Sequence, residues 1–98
     1  MIQTLADATT ADLFHGANTK AARAIDKTVW ALVRRKLDMV NAAAAVQDLR
    51  APPGNRLEAL KGDQAGRFSI RVNRQYRITF RFEDGNAFEV RCEDYHDH

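Results

Sequence analysis

Apolar and polar residues change rhythm once along this 98-residue chain, close to Gly54. Before that point the period is helical. In KAARAIDKTVWALVRRKLDMVNAAAAV (residues 20–46), Ala22, Ile25, Val29, Leu32, Val33, Leu37 and Val40 recur at helical spacing, while Lys20, Arg23, Lys27, Arg34 and Arg35 fall elsewhere. The spacing predicts one long amphipathic helix, capped by Asn18 or Thr19 and breaking near Asn41 into a second short one. Ahead of it, ADLFHGA (residues 11–17) reads as a helical turn or two closed by Gly16. IQTL (residues 2–5) reads as a short strand or an extended start. APPG (residues 51–54) ends all helix, because proline lacks the backbone donor and glycine permits the turn.

After Gly54 the period becomes two. Phe68, Ile70 and Val72 alternate with Arg67, Ser69 and Arg71, and Tyr76, Ile78, Phe80 and Phe82 alternate with Arg77, Thr79 and Arg81. EDGN (residues 83–86) is a hairpin turn, its Asp-Gly suited to positive φ. A further strand returns with Phe88, Val90 and Cys92 expected inward and Glu89, Arg91 and Glu93 outward. RLEAL (residues 56–60) is a plausible lead-in strand. The predicted class is α+β: N-terminal helices packed on one face of a twisted antiparallel sheet, in a single domain spanning residues 1–98.

The alternation also sorts the charges. Arg67, Arg71, Arg77, Arg81 and Arg91 all fall on the face turned away from the helices. Net charge is only +2, but residues 56–92 hold eight Lys/Arg against five acids, and residues 93–98 hold three acids and no base. Two readings of the arginine face stand side by side: an ordinary solvated surface with Glu89 and Glu93 as cross-strand partners, or a nucleic-acid surface. One cysteine excludes an internal disulfide. No apolar run approaches the roughly 18 residues of a membrane span, and the N-terminus lacks the features of a secretory signal. The expected location is the cytoplasm, with no membrane contact.

Three other features carry candidate chemistry. LKGDQAG (residues 60–66) sets Lys61 between strands with Gly62 and Gly66, and lacks the Gly-Lys-Ser/Thr of a phosphate-binding loop, so alone it favours a turn. EDYHDH (residues 93–98) gathers acid, phenol and imidazole. Its His96 and His98 lack the organised ligand spacing of a native metal site, so no metal is expected. Trp30 lies one step off the main apolar stripe and reads as core periphery, or as an interface anchor. His15 reads as a surface or partly buried residue.

Taken together, LKGD, SIRVN-x-QYRI-x-F and the closing DYH of residues 57–96 resemble the HigB-like toxins, or plasmid-maintenance killer proteins, of the RelE/ParE superfamily. The resemblance implies a RelE-like fold and a toxin of a type II toxin–antitoxin system. It further implies metal-independent cleavage of messenger RNA in the ribosome, by attack of the ribose 2′-hydroxyl on the adjacent phosphate, with no cofactor. The implied partner is a HigA-like helix-turn-helix antitoxin, and operator DNA would be reached only through it.

By position, Asp94, Tyr95 and His96 match the family's C-terminal catalytic cluster, and Lys61 and Arg77 match the cations that neutralise the scissile phosphate. His96 titrates near neutrality and is the leading general acid or base. Asp94, Tyr95 and His96 are expected to face the same surface as Lys61 and Arg77. Arg67, Arg71, Arg81 and Arg91 form the wider RNA platform. The sequence departs from the pattern at Glu58, where some members carry a catalytic histidine. Glu58 is therefore a provisional site residue, either a base or a partner for Arg77 or Lys61. Two other readings stay open: a ParE-like toxin that inhibits DNA gyrase by binding, and an inactive relative that only binds its antitoxin.

Overall fold

The computed structural model describes residues 1–95, so the expectations for His96, Asp97 and His98 lie outside the described residues. Helix α1 (Ala8–Phe14) opens on Asp7, whose carboxylate accepts from the Thr10 N–H at 2.8 Å, and it stops before Gly16 at φ 75°. It begins three residues earlier than the apolar spacing predicts, because the capping acid, which periodicity does not register, sets the start.

The long helix predicted from residue 20 is shorter. Two 3-10 turns, Ala22–Ala24 and Lys27–Val29, precede helix α2 (Trp30–Ala42). Ile25 is extended, and Asp26 turns its carboxylate onto the Thr28 N–H at 3.0 Å, an Asx-type bond that competes with helix. The Trp30 indole N–H then donates to the Ile25 carbonyl at 2.8 Å and fixes the break. Trp30 is buried, with Lys27 Nζ 5.5 Å from its ring centroid. Helix α2 ends where the break near Asn41 was expected.

Four strands follow: β1 (Glu58–Ala59), β2 (Arg67–Arg71), β3 (Tyr76–Glu83) and β4 (Asn86–Asp94), all antiparallel in the order β1-β2-β3-β4. The EDGN turn has positive φ at Asp84 (50°) and Gly85 (78°). A Cβ on Gly85 would also stand 3.3 Å from the Ala44 carbonyl oxygen. The extended start pairs in parallel with the far edge of β4, through Ile2 against Ala87 and Leu5 against Val90. The core lies between this sheet and the helices. Leu13, Val33, Leu37, Val40, Ile70, Ile78, Phe80 and Val90 are fully buried in it. Among the described residues no helix is long and apolar enough to cross a membrane.

One inward assignment is overturned. Phe88 stands on the arginine face, and Ala87 takes its place in the core. Thr79 pairs with Arg91, but Arg81 pairs with Phe88, so β4 carries one extra residue opposite Phe80. This β-bulge reverses the alternation beyond it. Glu89 adopts φ 53° there, and its N–H donates to Thr4 Oγ1 at 2.7 Å. Val90 and Cys92 point inward as expected.

Cys92 is 5 % exposed, and burial, followed by the charges of Asp7, Glu93 and Asp94, pushes its thiol up to about 12. The folded protein should therefore react with a thiol reagent at pH 8 at least about 100-fold more slowly than the urea-unfolded chain, because the thiolate is the nucleophile. Ellman's assay under both conditions reads this directly. Because the folded pKa is the higher one, the associated stability is complete below the unfolded value near 9 and is lost as pH climbs to about 12.

Candidate active site

On the sheet face turned away from the helices, Ser69 on β2 and Thr79 on β3 lie opposite each other and are buried. They form a floor of small hydroxyl side chains, and Arg77 lies across it. Arg77 Nε donates to Ser69 Oγ at 2.9 Å, and its Nη2 donates to the Arg56 carbonyl at 2.9 Å. Two of five guanidinium N–H groups are thereby fixed, which holds the plane of the group. The Arg56 carbonyl is aimed by a left-handed turn after Pro53–Asn55, with Arg56 at φ 45°. The Tyr95 ring centroid lies 5.7 Å from Arg77 Cζ, and the Tyr95 N–H donates to the Gln75 carbonyl.

Beside Arg77 opens a cleft of about 380 Å³ lined by Glu58, Ala59, Leu60, Lys61, Gln64, Thr79, Glu93 and Tyr95. Lys61 begins the 3-10 turn Gly62–Gln64, is exposed, and makes no ion pair among the described residues. Glu58 Oε2 stands 3.8 Å from Arg77 Nη2, the pairing foreseen as one role for this residue. Glu93 accepts from Thr79 Oγ1 at 2.5 Å, and its other oxygen lies 3.7 Å from Arg91. Among the described residues the cleft thus holds a cation without an ion pair beside a pinned guanidinium, two carboxylates and a 40 % exposed phenol.

Asp94 does not join this cluster. Its strand partner is Tyr76, whose ring is in the core, so Asp94 emerges on the helix side, where Gln75 Nε2 donates to it at 3.2 Å. Strand alternation separates residues 93 and 95 from residue 94. Glu93 is the carboxylate that β4 turns into the cleft opposite Arg77; its outward face was available from the alternation, whereas the register depends on the bulge. Burial pushes the Tyr76 phenol up, with Asp94 contributing.

The outer arginines are each held by the protein. Arg67 pairs with Glu89 at 3.1 Å and also reaches Thr79, and Arg71 Nε donates to the Asn73 carbonyl. Arg81 pairs with Glu83 at 2.8 Å and lies 4.8 Å from the Phe88 ring centroid. Arg91 bridges Asp7 and Glu93. Like charge on this face is therefore relieved by interleaved acids. A wider hollow of about 550 Å³ adjoins the cleft, shares Gln64 and Glu93 with it, and is lined by Asp63, Arg67, Glu89 and Arg91.

This arrangement of helices and meander is shared by solved structures. The YoeB–YefM complex from Staphylococcus aureus superposes with a TM-score of 0.60 at 14% identity, covering 99% of each chain. A YoeB/ParE toxin from Agrobacterium tumefaciens superposes at 0.53 and 15%, covering 96% of this chain and 99% of the other. What these define is the fold, a RelE-like one. Within it, the family model for the RelE-like toxin of the type II toxin–antitoxin system HigB matches residues 6–96, and the chain belongs to the HigB-like toxin family. Toxin HigB-1 of Vibrio cholerae is 48% identical over 71 residues, 72% of this chain and 75% of that protein. Endoribonuclease HigB of Proteus vulgaris is 49% identical over 41 residues, 42% of this chain and 45% of that one.

Proposed function

We propose that this chain is an endoribonuclease that cuts messenger RNA in the ribosomal decoding site, in the cytoplasm, through the cleft beside Arg77. The observation that carries the reading is the fixed Arg77 guanidinium with the exposed Tyr95 ring over it, at a cleft whose Lys61 makes no ion pair among the described residues. A fixed guanidinium can bind two phosphate oxygens at once, and a free ammonium adds a mobile point charge. An exposed aromatic ring suits an unstacked base.

In this reaction a bond forms between the ribose 2′-oxygen and phosphorus as the bond from phosphorus to the 5′-oxygen breaks. The products are a 2′,3′-cyclic phosphate and a 5′-hydroxyl. The nucleophile comes from the RNA and the positive charge from Lys61 and Arg77, so the chemistry as proposed has no step that needs a metal. Donors already aimed at the developing charge are worth most in such a step. The 2′-hydroxyl proton passes to His96, assigned by family position, and Tyr95 or Lys61 protonates the leaving oxygen. Glu58 serves as the partner of Arg77, and its charge beside the phosphate slows rather than drives cleavage. The name Endoribonuclease HigB borne by the Proteus vulgaris relative supports the activity. Neutralisation falls to a HigA-like helix-turn-helix antitoxin, with operator DNA met only through it.

Primer extension on messenger from induced cells tests the reading. Wild type should create new 5′ ends within codons, and His96→Ala should reduce them about 100-fold or more. Equal, intact messenger in both, or gyrase-trapped DNA breaks in their place, would overturn it.

A further inference from the structure

Lys36 is 7 % exposed, and among the described residues its ammonium pairs with no carboxylate. Nζ donates to Asn55 Oδ1 at 2.5 Å. Desolvation by burial, with a smaller push from Arg35, moves the Lys36 pKa down. A leucine or methionine at this position of α2 would bury apolar surface without desolvating an ammonium. The lysine's one polar partner is therefore the feature to explain.

Asn55 is fully buried and ties its own loop together. Nδ2 donates to the Leu49 and Ala51 carbonyls, both at 3.2 Å, and its backbone N–H donates to the Pro52 carbonyl at 2.9 Å. With both amide hydrogens donated to the loop carbonyls, Oδ1 is left for Lys36, whose ammonium closes the set of contacts that fixes the side chain. The next residue is Arg56, whose left-handed backbone turns its carbonyl onto Arg77 Nη2. Two residues on, Glu58 flanks the same guanidinium. An unbroken series of short contacts thus runs from the buried face of α2, beneath the loop of residues 49–56, to the cleft.

We propose that Lys36 is a positioning residue for the Arg77 guanidinium, acting through Asn55 and the Arg56 carbonyl. The functional part of the inference rests on the endoribonuclease reading. Its structural part, that Lys36 holds Arg77 still, stands apart from any activity.

The test uses Lys36→Met in the full chain. Lys36→Leu, which likewise lacks a donor, replaces it in both arms if the methionine variant melts below the assay temperature. In the first arm, ¹⁵N NMR follows the arginine Nε–H groups. Exchange of the Arg77 Nε–H should accelerate at least about fivefold, while that of Arg91, bonded to Asp7 across the sheet, stays unchanged. Equal acceleration of both, or of neither, overturns the inference, since general loosening would move both. In the second arm, cleavage of ribosome-bound messenger is measured for Lys36→Met, Arg77→Ala and the double variant. Lys36→Met alone should lower kcat about tenfold with KM nearly constant, as a small misplacement of a reacting group does. In the Arg77→Ala background it should change kcat less than twofold, because the residue it positions is gone. An equal tenfold loss in both backgrounds overturns the inference. Absence of cleavage by wild type counts against the endoribonuclease reading alone, and the NMR arm then decides the role of Lys36.

Discussion

Arg77→Ala should lower messenger cleavage by about 100- to 1,000-fold while the chain stays folded. That range is the usual loss when one preorganised donor to a developing oxyanion is removed. In the proposed reaction Arg77 would be such a donor, and Ser69 and the Arg56 carbonyl hold its plane. Alanine also leaves Glu58 without its cation, so a carboxylate would stand unopposed beside the scissile phosphate. Loss of the two hydrogen bonds and their buried acceptors should reduce stability by roughly 1–3 kcal/mol, within the range most domains of this size tolerate. Quantitative cleavage of a ribosome-bound messenger, with circular dichroism on the same preparation, checks both halves. Retention of more than a tenth of wild-type activity would remove Arg77 from the reaction.

Phe80→Ala should be the most damaging change to the fold itself. Phe80 is fully buried at the middle of β3, with Phe68 and Phe82 ring centroids 6.2 and 6.4 Å away. It also lies opposite the extra residue of β4, where the ladder is already interrupted. Emptying such a site typically removes about 3–5 kcal/mol, against a total of roughly 5–15 kcal/mol for a domain. The melting temperature should fall by roughly 15–30 °C. Phe82→Ala, at a partly buried position, should produce less than half that shift. Differential scanning calorimetry of the two variants gives the comparison. Equal shifts would mean that the core is not centred on Phe80.

How much of this was legible in the sequence depended on whether a local rule or a distant partner set the outcome. The β2 and β3 faces and the shared side of five arginines follow from period-two alternation, which sterics enforce residue by residue, and the Asp84-Gly85 turn follows from residues that tolerate positive φ. The end of α2 followed from composition. Its start did not, because Asp26 and Trp30 close local hydrogen bonds that compete with a helix whose apolar spacing continues through them. The outward turn of Phe88 was hidden for a different reason. The bulge at Glu89 is braced by Thr4, 85 residues away in the chain, and no local pattern reports such a contact.

The candidate site shows the same division. Motif resemblance singled out Lys61, Arg77 and Tyr95, which the fold gathers at one cleft. Resemblance cannot resolve which of two adjacent residues faces it, and there the parity of β4 separates Asp94 from Glu93. Glu58, the departure from the family pattern, is placed against Arg77 by its strand register with Ser69. The hydroxyl floor of Ser69 and Thr79 read as ordinary outward residues, because burial on that face comes from the arginines lying over it.

The extended start beside β4 bears on how another protein can grip this one. Sheets with bare edges recruit foreign strands, in regulated complexes and in aggregates alike. Here β1 is two residues long and carries a carboxylate, and the first half of β4, from Ala87 to Val90, is covered by residues 1–6 through four backbone hydrogen bonds, two given and two received. A polypeptide adding itself directly to β4 would first have to strip that segment away. A partner strand is then left only short stretches of free edge among the described residues, and the same shortness limits the templating from which fibrils are seeded.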